Sequence, residues 1–335
     1  MMRSSYWVVI AGVAGCSDPG LGSLPGDAGL DGGGDVAVDT GSAGDSGSGD
    51  SGTPGGKWTT VSTSGTTPTG AGNLLAIGLP TKVVTIQDRG TSTQSATFDG
   101  SVWSAVTVPT GLKGTGCAGA VGFAGFALVY SGCQYFAPDI YQTWVFDGSS
   151  WSAKTAGGQG RGYAAMARAN DSNKVFMTGG VKPSGTGKLD WLASWTLAGG
   201  WQTEPAPSTL LGTKTFPDET FTIFNLGDTA YAIDSTGKTR KWDGADWAEV
   251  VGAGPAPKSS SWVSRSVATD GKQTFLQLQL ATHSWDGKSW TLISEDPACD
   301  GGRTPTAVAN IDSRFFLFCL PTAGDTTPWQ VKEWK

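Results

Sequence analysis

Beyond residue 56 the chain reads as short runs in which apolar and polar positions alternate with a period of two, the pattern of half-buried strands. Segment 163–168 (Tyr-Ala-Ala-Met-Ala-Arg) is followed by turn formers at Asn170-Asp171-Ser172-Asn173 and by a second run at 174–180 (Lys-Val-Phe-Met-Thr-Gly-Gly). The same pairing returns at 265–269 and 273–278 around Asp270-Gly271, and at 304–309 and 314–319 around Asp312-Ser313. Downstream of each pair lies a third signal, a tight hairpin. It reads Phe98-Asp99-Gly100-Ser101-Val102-Trp103, then Phe146-Asp147-Gly148-Ser149-Ser150-Trp151, Trp242-Asp243-Gly244-Ala245-Asp246-Trp247 and Trp285-Asp286-Gly287-Lys288-Ser289-Trp290. Asp-Gly supplies the turn, because Gly accepts a positive φ and Asp caps its own backbone. The flanking aromatics then face each other across two antiparallel strands, a pairing that contributes roughly 0.2–1 kcal/mol.

Shorter versions of the hairpin, Leu197-Ala198-Gly199-Gly200-Trp201 and Val331-Lys332-Glu333-Trp334, complete a series of closing tryptophans at 103, 151, 201, 247, 290 and 334. Their spacings are 48, 50, 46, 43 and 44 residues. A period in the forties built from four strands per unit predicts a blade, so the fold class is all-β: a six-bladed β-propeller of four-stranded antiparallel blades over 57–335. Seven blades with one degenerate is the alternative. The sixth unit ends at Lys335 without its outermost strand, and Gly55-Gly56-Lys57-Trp58-Thr59-Thr60-Val61-Ser62 aligns with Gly287-Lys288-Ser289-Trp290-Thr291-Leu292-Ile293-Ser294. The N-terminal strand 58–62 is therefore expected to pair with the strand around 329–332 and close the ring. Trp144, Trp195 and Trp329 extend the aromatic stripe, which assigns these indoles to blade packing.

Composition narrows the function. The 335 residues include 51 Gly and 15 Trp but one His, and only 16% are charged. That is poor in helix formers and argues against a bundle. The net charge of −6 divides into −7 from seven Asp within 17–56, +1 from Arg3 and zero over 57–335. No basic surface for nucleic acid is expected. Residues 16–56 are Gly, Asp and Ser with no aromatic, and they are expected to form a disordered tether with a reach of about 35 Å. No fixed D-x-D-x-D-G spacing recurs there, which argues against a calcium repeat.

Before the tether, Met1-Met2-Arg3 leads into the short apolar run 6–13, too short for a permanent span, and into Val13-Ala14-Gly15-Cys16. This ending resembles the lipobox of bacterial lipoproteins. The resemblance implies a signal peptide at 1–15, lipidation of Cys16 and membrane attachment through that lipid; Ser17 implies the outer membrane or cell surface. An ordinary secretory signal is the alternative. Export favours disulfides among Cys117, Cys133, Cys299 and Cys319. Three pairings are possible, and the meeting ends of antiparallel hairpins favour Cys117–Cys133 and Cys299–Cys319.

The Gly179-Gly180 ending of one strand, followed by an aromatic strand and Trp201, resembles kelch repeats and, more broadly, galactose-oxidase-like propellers. The catalytic sets of such enzymes are missing. Copper chemistry needs two His, and His283 is alone, two residues before Trp285, where a packed or edge role fits. A serine triad has the same single base to draw on. The D-G-x-x-W spacing also differs from the S-x-D-x-G-x-x-W box of sialidases. The segment Arg240-Lys241-Trp242-Asp243-Gly244-Ala245-Asp246-Trp247 resembles hairpins of six-bladed fucose-binding lectins, whose sugar clamp implies a Glu three residues before the first Trp. Here Thr239 and Thr282 hold those places. Candidate ligand residues are Arg161, Arg265 and Arg303, each just ahead of a blade's first strand, and Trp191 and Trp262, which fall outside the stripe. Neither metal nor cofactor is expected. The expected function is a lipid-anchored binding module of the bacterial envelope, without catalysis, for an unknown protein or glycan ligand; the alternative is an envelope polysaccharide hydrolase or lyase on the same scaffold.

Overall fold

A computed structural model describes residues 56–89, 92–112, 118–123, 125–131, 142–154, 164–169, 173–178, 192–205, 207–209, 211, 222–234, 236–257, 266–278, 281–294 and 299–335. Residues 1–55, which make up all but the last residue of the segments assigned to the signal peptide and tether, lie outside the described residues. Those from Gly56 to Lys335 form one compact unit.

Strand β1 (Trp58–Thr60) and the two-residue β2 (Ser64–Gly65) precede the first blade, β3 (Asn73–Gly78), β4 (Val83–Asp88), β5 (Thr93–Phe98) and β6 (Val102–Val106). Blade two is β7 (Gly119–Phe123), β8 (Phe126–Ser131), β9 (Gln142–Phe146) and β10 (Trp151–Lys154). Blade three is β11 (Ala165–Arg168), β12 (Lys174–Thr178), β13 (Ala193–Thr196) and β14 (Gly200–Thr203). Blade four is β15 (Thr222–Leu226), β16 (Thr229–Ile233), β17 (Thr239–Trp242) and β18 (Trp247–Glu249). Blade five is β19 (Ser266–Thr269), β20 (Thr274–Leu278), β21 (Ala281–Trp285) and β22 (Trp290–Ser294). Blade six takes β23 (Thr304–Ile311), β24 (Arg314–Leu320) and β25 (Gln330–Trp334) from the end of the chain and β1 from its beginning. The first strands touch in cyclic order, β3 to β7, β11, β15, β19, β23 and back to β3, so the sheets form a ring of six blades.

The closure is the one expected, with a shifted register. Trp58 stands opposite Trp334, Thr59 opposite Glu333 and Thr60 opposite Lys332. Trp334 is therefore not the sixth closing tryptophan. It holds the third-strand place occupied elsewhere by Phe98, Phe146, Trp195, Trp242 and Trp285, and Trp58 supplies its partner from the other end of the chain. Trp195 faces Trp201 directly, as the third-strand aromatic of its own hairpin rather than an extension of the stripe. Trp329 precedes β25 and packs edge-on against Trp103 of blade one, with ring centroids 5.8 Å apart.

Within a hairpin the ring centroids of Phe98–Trp103, Phe146–Trp151, Trp242–Trp247 and Trp285–Trp290 lie 4.8–5.1 Å apart. Between blades these rings meet the aromatics of the preceding blade: Trp201 on Tyr130, Trp242 on Phe176, Trp290 on Phe224, Trp58 on Phe275, and Phe98 on Phe316. The core is thus a set of inter-blade layers, and its cohesion comes from burying wide flat side chains.

Near the axis the first strands are joined one rung from their ends. The Asn225 side chain accepts from the Arg168 amide (2.8 Å) and donates to its carbonyl (3.0 Å). Asn310 accepts from the Thr269 amide at 3.1 Å. Gly78 and Gly122 hold the same rung in blades one and two, where a Cβ would stand 2.4 Å from the Asn310 carbonyl oxygen and 2.3 Å from that of Gly78.

Candidate functional site

Antiparallel order gives the ring two unlike faces. On one, first strands turn into second and third into fourth, and no connection exceeds five residues. Four of its third-to-fourth-strand hairpins are Asp-Gly turns. Asp147 Oδ1 accepts from the amides of Ser149 (2.9 Å) and Ser150 (2.8 Å), and Asp99, Asp243 and Asp286 repeat this arrangement. The following glycines have φ between +94° and +110°. The amide of Ser150 and the groups of Ser149 hold the Asp147 carboxyl down to about 2. The amides of Val102 and Asp246 lower Asp99 and Asp243 in the same way. These carboxylates are ionised and tied to their own turns, so none is set up as a general acid. Residue 56 also enters the ring on this face, since Trp58 lies opposite the end of β25.

The opposite face carries the remaining connections. They reach twelve residues at 107–118, fourteen at 179–192, sixteen at 250–265 and eighteen at 204–221. In the sequence, all five candidate ligand residues fall between strands whose facing ends lie on this side. Arg161 lies between β10 and β11, Trp191 between β12 and β13, Trp262 and Arg265 between β18 and β19, and Arg303 directly ahead of β23. The first four lie outside the described residues, as do Cys16, Cys117, Cys133 and the Gly179-Gly180 pair. Arg303 is described. Its Nε and Nη2 each donate to the Pro328 carbonyl at 3.3 Å and its Nη1 to that of Asp300 at 3.3 Å, so its guanidinium braces two connections.

The residues carrying the likeness to lectin hairpins are also engaged. Arg240 donates through Nε to Asp234 at 2.6 Å, and the Asp234 side chain is 3% exposed. Burial pushes the Asp234 carboxyl up, but donors from Thr236, Lys238 and Arg240 outweigh this and hold it below its ordinary value. Thr239 accepts the indole N–H of Trp290 from the next blade at 2.8 Å. This repeats a rule not visible in the sequence: the residue three places before the hairpin aromatic receives the next blade's indole. Ser95 serves Trp151 (3.1 Å) and Thr143 serves Trp201 (2.7 Å). Where Leu192 and Val331 hold that place, the indole N–H groups of Trp247 and Trp103 are buried without a partner among the described residues. Thr282 instead donates to Gln277 at 2.7 Å, and the Trp58 indole has no partner there either. His283 stands opposite Leu276 and Leu292, half-buried. Burial lowers its pKa, which keeps the ring neutral and packed as expected. Among the described residues no group of three metal-binding side chains occurs. The Cys299–Cys319 bridge is present, with Cα atoms 5.8 Å apart.

No family model and no curated protein matches the chain. Solved structures do. YjhT superposes with a TM-score of 0.51 at 13% identity, over 82% of this chain and 96% of that one. A triple arginine-to-alanine mutant of AofleA from Arthrobotrys oligospora gives a TM-score of 0.50 at 11% identity, over 84% and 86%. They share its fold. Identity this low extends the likeness no further than the ring of blades.

Proposed function

We propose that this propeller is a non-catalytic binding module, held on the bacterial envelope by a lipid at Cys16, and that it takes a glycan on its long-connection face. The observation carrying this reading is how the tryptophans are used. Of the 15 in the chain, the twelve that are described all pack within or between blades, and each is buried or half-buried. Trp191 and Trp262 belong to neither the stripe nor the leader, and both sit in long connections of one face. Aromatic rings free of the blade core are what a sugar or a protein hot spot requires. Gly56, where the described chain begins, lies at the opposite face, beside the end of β25. A six-bladed ring is a scaffold that serves many ligands, so the reading rests on these residues and not on the fold.

One experiment on the full chain tests it. Expressed in a Gram-negative host, the protein should incorporate labelled palmitate and lose it in Cys16→Ser. On an array of bacterial and host glycans it should retain at least one glycan without turning it over, and Trp191→Ala or Trp262→Ala should weaken that retention more than tenfold with the melting curve unchanged. Hydrolysis of the bound glycan, or undiminished binding in both variants, overturns the proposal.

A further inference from the structure

We infer that the Cys299–Cys319 bridge is a redox-controlled clasp on the seam that closes the ring, so that a dithiol reductant frees the N-terminal strand while the other blades stay folded. The fourth strands of the other five blades follow their third strand through a short covalent turn. In blade six that turn does not exist. The seam is a three-residue ladder, Trp58–Thr60 against 332–334, extended by reciprocal Lys57–Lys335 backbone bonds and by the Val61 amide on the Val331 carbonyl at 2.9 Å.

The residue after the bridge holds this seam from the side. The Asp300 carboxylate accepts from Lys332 Nζ (3.0 Å) and Gln330 Nε2 (2.7 Å) of β25, and from Thr60 Oγ1 (3.2 Å) of β1. Its amide donates to Gln330 Oε1 at 2.8 Å. One aspartate thus spans both chain ends. It is also the ion-pair partner of Lys332, whose side chain is only 9% exposed, and a buried ammonium that loses its counter-charge is strongly destabilising. What delivers Asp300 to this place is its neighbour. Cys299 is bonded to Cys319 near the end of β24, in the interior of the same blade, and Arg303 pins the same turn to Pro328.

The step is ordinary thiol–disulfide exchange. One thiolate of the reductant attacks Sγ of Cys299, the less enclosed of the two sulfur-bearing residues at 8% exposure against 0%, and Cys319 departs as a thiolate that takes a proton. The second thiolate of the reductant then attacks its own sulfur in the mixed disulfide, releasing Cys299, so the bridge gains two electrons and two protons and the reductant ends as a disulfide. With residue 299 no longer fixed to β24, Asp300 loses its covalent anchor, and the seam keeps its short ladder and the packing of Trp58 on Phe275 and Trp334.

Amide hydrogen exchange on the full chain, before and after dithiothreitol, reads this out, with mass tagging to confirm that both thiols have formed. Exchange at 57–61 and 331–335 should accelerate at least tenfold, while β8, β12 and β16 keep their protection. Cys299→Ser/Cys319→Ser should reproduce that pattern without reductant, which separates it from any effect of other cysteines. Asp300→Asn should open the seam with the bridge intact. Unchanged seam protection after reduction, an unaffected seam in Asp300→Asn, or simultaneous loss of protection in all blades overturns the inference.

Discussion

The indole-acceptor rule allows a reciprocal test. Thr143 is fully enclosed, and its Oγ1 takes the Trp201 indole N–H at 2.7 Å across the boundary between blades two and three. Thr143→Val keeps the shape and the β-branching and removes only the acceptor. A hydrogen bond contributes a net of about 0.5–1.5 kcal/mol, and a stranded buried donor costs about 1–3 kcal/mol. Trp201 is half-buried, so water can reach part of it and the lower end of that range applies. The expected loss is about 1–2 kcal/mol, or a fall of roughly 2–5 °C in melting temperature for a domain of this size. Val331→Thr is the mirror change. It offers a hydroxyl where the Trp103 indole has no partner among the described residues, and the new bond offsets the burial of the hydroxyl to within about 0.5 kcal/mol. Urea unfolding followed by tryptophan fluorescence, paired with calorimetry, measures both. A Thr143→Val protein as stable as the parent, or a Val331→Thr protein damaged as much as Thr143→Val, would show that the bonds accompany packing rather than add to it.

Two further perturbations probe the axis and the hairpins. Gly122 has ordinary backbone angles, so Gly122→Ala acts only through a Cβ placed 2.3 Å from the Gly78 carbonyl oxygen; the first two blades must part, at a cost of about 1–3 kcal/mol, seen as a lower melting temperature and faster exchange in β3 and β7, and an unchanged melt refutes the contact. Asp147 titrates at about 2 in the folded chain against an ordinary 3.8, so the stability it contributes is complete above about pH 4 and disappears as the pH falls through about 2; Asp147→Asn should flatten the dependence of the urea midpoint on pH across that window, and superimposable profiles would refute the assignment.

How far the sequence discloses this molecule depends on whether a feature is local. The Asp-Gly hairpins are legible because Gly100, Gly148, Gly244 and Gly287 need positive φ and the aspartates cap amides two and three residues on, all within one short segment. Six blades and the N-terminal closure follow from the spacing of those hairpins. Trp334 is misplaced by the same reasoning, because its partner is reached by no covalent turn and the motif has no downstream half to reveal the gap. The indole acceptors are in plain sight as Ser95, Thr143 and Thr239, yet each serves a tryptophan 51 to 58 residues later, in the next blade. Asp300 is harder still. Its partners lie 30, 32 and 240 residues away, and nothing in its immediate neighbours other than Cys299 marks it.

The same logic explains why the candidate site is the least legible part. A repeat announces itself through residues that do the same work in every blade, and that work is packing. It absorbs His283, Arg240, the hairpin aspartates and the described tryptophans, which are the residues a search for chemistry picks out first. Under the proposed function, ligand recognition is assembled from connections that differ in length from blade to blade, from two residues at 279–280 to eighteen at 204–221, and such segments share no period with one another. Arg303 marks the boundary between the two kinds of work: it precedes a first strand in the sequence, as Arg161 and Arg265 do, and its donors are committed to Pro328 and Asp300. A binding role for Arg161 or Arg265 therefore requires that its guanidinium escape the bracing that holds Arg303, and position ahead of a strand is not enough to grant it.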